Sequence, residues 1–267
     1  MGHGTCEPRV SQHVVIVAVL GLVAAFQRGD RDQLAHEARV AAASGVATSL
    51  SSKDRARQLA AIAAAPHVDA AWWLLTPLAQ RAQSRDRRMA STAARSAALI
   101  AGELTRHQVI ELEISVDLLH ERLEAWREVA RDRGRWADVR VHAMVTATEI
   151  HGALGRDAEQ APFDLESAAA DPEPEVRRAA FELLPAPLPD DLIATVAAHV
   201  LDDDPVVALS AAQAVCAGIG LDANPKPLLA ALGDAGLARI RALVAAPDAH
   251  TGAAVDARRC LAAAGDR

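Results

Sequence analysis

The chain has 267 residues, 51% of them hydrophobic and 24% charged, a composition that supports a folded core and excludes intrinsic disorder. Its net charge of −7 argues against a broad nucleic-acid-binding face, which gains affinity by counterion release, and against attachment to anionic membranes. Aromatics make up only 3% and tyrosine is absent, while alanine dominates the apolar residues, which points to helices packed closely through small side chains.

The first element is an uncharged run, VVIVAVLGLVAAF, at 14–26. It is too short for the ~20 residues that span a bilayer, so no stable membrane span is expected. Such a run suits the apolar region of a secretory signal, with Val23 and Ala25 at −3 and −1 of a cleavage site before Phe26. Arg9, offset by Glu7, makes a weak positive leader, and the competing reading is a buried first helix that caps the fold. The expected organisation is therefore a leader or capping helix over 1–25 and a single domain over 26–267. Cleavage would place the chain in a secreted or periplasmic setting; retention would leave it cytoplasmic.

Residues 31–45 and 53–65 form an expected helix pair with its cap at 51–54 and Pro66 at its end. An apolar helix at 72–82 follows and contains Pro77; the next helix carries Met89, Ala93, Ser96 and Ala97 at positions 0, +4, +7 and +8. The same template recurs after helix 118–130 as Val139, Ala143, Thr146 and Ala147. It recurs again after 163–169 as Val176, Ala180, Leu183 and Leu184, and after 190–201 as Val207, Ala211, Ala214 and Val215. These four positions share one helix face, so each helix buries one stripe, and alanine at +4 lets a neighbouring helix approach closely. Segments 171–184 and 202–215 align without gaps, each with an acidic turn before Pro174 or Pro205 at the first helical position. Residues 105–108 and 155–162 read as ordinary loops and 218–233 as a longer connection that breaks the register. A final pair spans 236–264, its second helix at 253–264 carrying Ala257 and Leu261.

One such helix pair cannot bury its apolar face alone, so the pairs must stack. Leu74-Leu75-Thr76-Pro77-Leu78 before Met89, and Asp171-Pro172-Glu173-Pro174-Glu175-Val176-Arg177 before Ala179-Ala180, resemble the two helices of HEAT repeats, of the armadillo-like family. The resemblance is good over 71–103 and 161–219 and looser over 108–155. It implies an all-α, right-handed α-solenoid of about five to six stacked helix pairs whose second helices line one long face.

No motif carries chemistry. His142 and His151 lie on opposite faces of one helix, and His120-Glu121 lacks the second histidine of a metalloprotease motif. Asp202-Asp203-Asp204 lacks the alternating ligands and glycine of a calcium loop and reads as an acidic helix start. No cofactor or metal is expected. Cys216 and Cys260 are a candidate disulfide closing 44 residues, worth about 4 kcal/mol on a chain-entropy argument; two small buried apolar side chains are the preferred reading. Position +2 of the template holds Ser91, Val141, Arg178 and Leu209, and +6 holds Arg95, Val145, Glu182 and Gln213, neither a basic stripe, so no nucleic-acid partner is expected. The expected function is a non-enzymatic scaffold for a protein or peptide, with Trp72, Arg88, Arg95, Arg178 and Glu182 as candidate partner contacts. The alternative is a lyase-like or DNA-glycosylase-like repeat enzyme, or an enzyme accessory, whose pocket has no sequence signature.

Overall fold

The computed structural model describes residues 31–68, 71–155, 158, 161–219, 224–246 and 252–265. The expected leader at 1–25 lies outside them. Among the described residues the chain forms thirteen α-helices and no strand. They are α1 (Arg31–Leu50), α2 (Arg55–Ala64), α3 (Leu75–Ala82), α4 (Arg87–Gly102), α5 (Arg106–Glu111), α6 (Val116–Arg131) and α7 (Ala137–Leu154). Then come α8 (Leu165–Ala169), α9 (Pro174–Glu182), α10 (Asp190–Ala198), α11 (Pro205–Cys216), α12 (Pro225–Val244) and α13 (Gly252–Ala263).

The packing is that of a stack with two layers. Helices pair within a repeat as α1 with α2, α3 with α4, α6 with α7, α8 with α9, α10 with α11 and α12 with α13. Second helices then touch the next second helix without a break, in the order α2, α4, α7, α9, α11, α13. First helices touch in the same way where α3 meets α6 and α10 meets α12. Among the described residues the chain is an α-solenoid of six helix pairs, with α5 inserted between the second and third.

Local chemistry sets the helix starts. Asp54, Asp86, Asp164, Asp204 and Asn224 each cap a helix, accepting N–H bonds from the first turn. Proline occupies the first helical position of α9, α11 and α12, where its missing N–H leaves nothing unpaired. Glu173 makes no side-chain cap at α9 but puts a negative charge at the positive end of the helix dipole.

Three local expectations are corrected. Segment 72–82 is not one helix: a 3-10 turn, Ala71–Leu74, precedes α3, so Pro77 falls in the first turn, where it displaces no helical hydrogen bond. Residues 105–108 are not a plain loop. Thr105 and Gln108 form a reciprocal capping box that starts α5. Nor is 218–233 a connection throughout, because α12 begins at Pro225; its break is at Gly233, whose φ of 56° and ψ of −173° suit glycine and split the helix into two arms.

Every alanine at +4 of the template (Ala93, Ala143, Ala180 and Ala211) is fully buried, and so is Ala257 of α13. Burying one alanine methyl contributes only about 0.8 kcal/mol, so these residues act mainly through their small size. They permit the 8–10 Å separation typical of tightly packed helices. The larger transfer terms come from side chains such as Trp126, Phe181, Leu78, Leu119 and Ile150, all buried between layers. Met144, Phe163, Val176 and Ala180 form a middle cluster joining the two ends of the core.

Polar links also cross between repeats. The Ser96 hydroxyl on α4 donates to the Ile62 carbonyl on α2 at 2.9 Å. Arg140 on α7 pairs with Asp171 in the turn before α9, and Arg177 on α9 pairs with Asp202 before α11. The second pair is bidentate, at 2.9 and 3.0 Å. In template terms, arginine at +1 grips the aspartate at −5 of the following repeat. Burial acts to raise the Asp202 carboxyl, but the Arg177 guanidinium and the Asp204 N–H outweigh it and hold it below the usual carboxylate range.

Candidate functional site

The outward side of the second-helix layer is where a solenoid presents residues that its own packing does not use. On α4, Arg88, Thr92, Arg95 and Leu99 follow one another at spacings that keep them on one helix face. Arg88 and Arg95 are exposed and Leu99 is 54% exposed, an unusual fraction for a leucine. Val141 and Val145 occupy the corresponding part of α7 and are half-buried. Arg178 and Glu182 stand one turn apart on α9, 3.5 Å from each other, and the Ser210 hydroxyl of α11 lies 3.3 Å from the same Glu182 oxygen. Val206, 51% exposed, and Leu209, half-buried, continue the layer on α11.

Four of the five expected contacts, Arg88, Arg95, Arg178 and Glu182, thus share the second-helix layer, on α4 and α9 with α7 between them. Trp72 is not with them. It lies before α3 and lines a cleft of about 160 Å³ with Val68, Ile100, Leu104 and Leu112, at the opposite end of α4 from Arg88. Arg122 of α6 stacks on the Trp72 ring at 4.9 Å from its centroid. Arg122 is itself buried, which pushes its guanidinium below the usual range, and its Nη1 donates to the Leu118 carbonyl at 3.0 Å. Trp72 is therefore held against α6 by Arg122. The exposure of Leu99 and Val206 does not follow from residue type, since both are apolar. The signal was the run of positions 88, 92, 95 and 99 on one face, with a leucine where the other residues are polar.

The histidines do not assemble a catalytic group. His142 is half-buried, its Nδ1 2.7 Å from the Asp138 carbonyl of its own helix. His107 sits 2.9 Å from Glu111 on exposed α5. His199 packs against Phe181 with ring centroids 5.1 Å apart, and burial lowers its pKa. Among the described residues no three of His, Cys, Asp and Glu are grouped to hold a metal ion. No described helix is long and apolar enough to cross a membrane. Cys216 and Cys260, both fully buried, are joined as a disulfide that ties α13 to α11.

Two solved structures resemble this arrangement. One, from work on microtubule plus-end tracking by XMAP215, CLIP-170 and EB1, gives a TM-score of 0.51 at 15% identity, over 78% of this chain and 91% of that one. The other is a designed armadillo repeat protein, with a TM-score of 0.54 at 16% identity, over 82% of this chain and 98% of the design. The chain has the HEAT/armadillo-like repeat fold. As an α-solenoid of that kind it shares its architecture with repeat scaffolds. No family model matches the chain, and neither does any curated protein sequence.

Proposed function

We propose that the protein is a non-enzymatic scaffold that binds a protein or peptide along its second-helix layer. The observation that carries this reading is the outward row of α4, α7, α9 and α11. It mixes exposed apolar anchors, Leu99 and Val206, with exposed charges, Arg88, Arg95, Arg178 and Glu182. Arginines beside exposed apolar side chains suit a polypeptide partner, which offers carboxylates and apolar groups at repeated spacing. The resemblance to repeat scaffolds agrees with it.

Photo-crosslinking residues placed at 95, 99 and 178 should yield polypeptide adducts in the native host, and the same residue at exposed positions of the first helices should not. Equal labelling of both layers, or turnover of a small molecule with no polypeptide adduct, would reject the proposal. We also propose that the protein is exported. The Cys216–Cys260 bridge supports this, because disulfides persist in oxidising compartments. Protein isolated from its host should then begin at or near Phe26, and an intact Met1 would rule out processing.

A further inference from the structure

The turns that lead into α2, α4, α7, α9 and α11 lie along one edge of the stack. Along that edge the charge changes sign once. Segments 51–57, 83–88 and 131–138, in the first three repeats, carry nine cations against four carboxylates. Segments 170–177 and 201–206, in the next two, carry six carboxylates against one arginine. The two halves are equal and opposite, +5 and −5, by subtraction of those counts.

Part of this charge is used internally. Arg55 pairs with Asp86, Arg135 with Asp132, and the buried Arg140 and the part-buried Arg177 hold Asp171 and Asp202. What remains outward is one-sided apart from Asp54, whose carboxylate caps α2. Lys53, Arg85, Arg88 and Arg133 are exposed without a carboxylate partner among the described residues. On the other half Glu173, Glu175 and Asp203 are exposed without a cation. Where the sign changes, between the third and fourth repeats, a cleft of about 440 Å³ opens. Arg133 and Arg135 line it from the turn before α7, Glu173 and Glu175 from the turn before α9, and the half-buried Trp136 lines it too.

We propose that this edge is a self-association face, on which two copies of the chain pair about a two-fold axis through the Trp136 cleft. A surface that is basic at one end and acidic at the other matches itself when turned end for end, which is the geometry of an isologous dimer. The axis sets the third repeat of one copy against the fourth of the other, so Arg133 faces Glu173 and Glu175. It also sets the second repeat against the fifth, so Arg85 and Arg88 face Asp203. Trp136, at the axis in both copies, supplies the aromatic centre that charge alone lacks. Five helix ends at 8–10 Å spacing span roughly 40 Å, several Debye lengths at physiological salt, so association is steered by charge and weakened by ions. This inference goes beyond the scaffold function. The turn edge meets the second-helix layer at Arg88 and Val206, but residues 85, 133, 173 and 175, which the test reverses, lie off that layer, so either reading can fail without the other.

Sedimentation of the full chain tests it. At an ionic strength of about 0.01 M, where screening extends over ~30 Å, the wild type should sediment as a dimer and dissociate as salt rises. Arg85→Glu with Arg133→Glu takes the basic half from +5 to +1 and leaves the edge acidic overall, whereas Glu173→Arg with Glu175→Arg takes the acidic half from −5 to −1 and leaves it basic overall. Each variant alone should weaken dimerisation at least tenfold, and an equimolar mixture should restore it as a heterodimer. All four side chains are exposed, so circular dichroism should show unchanged helix content. A wild type that stays monomeric at low salt overturns the proposal, including one that instead binds a charged peptide there. So does a dimer indifferent to both reversals, or a mixture that fails to associate.

Discussion

Removal of Asp171 tests how much the link between the third and fourth repeats contributes. Asp171 is 4% exposed and Arg140 2%, so Asp171→Ala leaves a buried guanidinium with no counter-charge. Asp132 is no substitute, because it is exposed and engaged first by Arg135, with Arg140 the last of several influences on it. Breaking a buried pair by removing one partner costs about 3–5 kcal/mol. Asp171 also accepts the Glu173 N–H at 2.9 Å at the start of α9, and losing that bond adds about 1 kcal/mol. The expected loss is about 4–6 kcal/mol, which lowers the urea midpoint by roughly 1.3–2 M for a slope near 3 kcal/mol/M.

The double variant Arg140→Met with Asp171→Leu separates charge burial from packing. Replacing a buried pair by apolar side chains of similar volume is often neutral or stabilising, so the double should recover most of the loss. Urea denaturation followed by circular dichroism reads both. A single variant within about 1 kcal/mol of wild type, or a double as unstable as the single, would refute the reasoning.

Four further outcomes follow from particular contacts. Ala143→Leu inserts three carbons where α7 is fully buried and should cost about 1–3 kcal/mol, measured by the same denaturation. Gly155→Ala should destabilise by more than about 1 kcal/mol, because its φ is +59° and a Cβ there would collide with the Arg106 guanidinium that bonds the Leu154 carbonyl; a melting curve checks it. Replacing Cys216 and Cys260 by alanine should lower stability by about 4 kcal/mol through the 44-residue loop, with the largest gain in amide exchange in α13. For His199, burial lowers the folded pKa below its usual 6.5, so the unfolded chain binds the proton more readily. Its contribution is complete above the unfolded value and lost as pH falls through the folded one. Melting temperature should therefore drop on acidification below about pH 6.5, ahead of the Asp202 loss below about 3.9, and His199→Leu should remove the first step.

The repeat template was legible because burial imposes it. Val176, Ala180, Val207 and Ala211 are interior, and a polar residue at any of them, or a large one at +4, would weaken the stacking, so the pattern recurs in the chain. The Thr105–Gln108 cap stands equally plainly in the letters, but α5 has only six residues, too few for a periodicity that marks a helix. Arg140–Asp171 and Arg177–Asp202 needed the template applied across repeats, because each arginine is satisfied by the next unit and not by its own. The disulfide needed still more: a separation of 44 residues says nothing about distance until α13 is laid against α11.

The surface was the least legible part. Arg88, Arg95, Arg178 and Glu182 are exposed, so nothing in the interior dictates their identity, and only their joint placement on one layer gives them meaning. The same holds for the polarity of the turn edge. Its charges are scattered over 51–206 in sequence and become one row only when five helix starts are brought side by side. In a repeat protein, residues that hold the units together must be periodic, while residues that meet a partner must match that partner. The first constraint is written in one chain; the second is shared with another molecule.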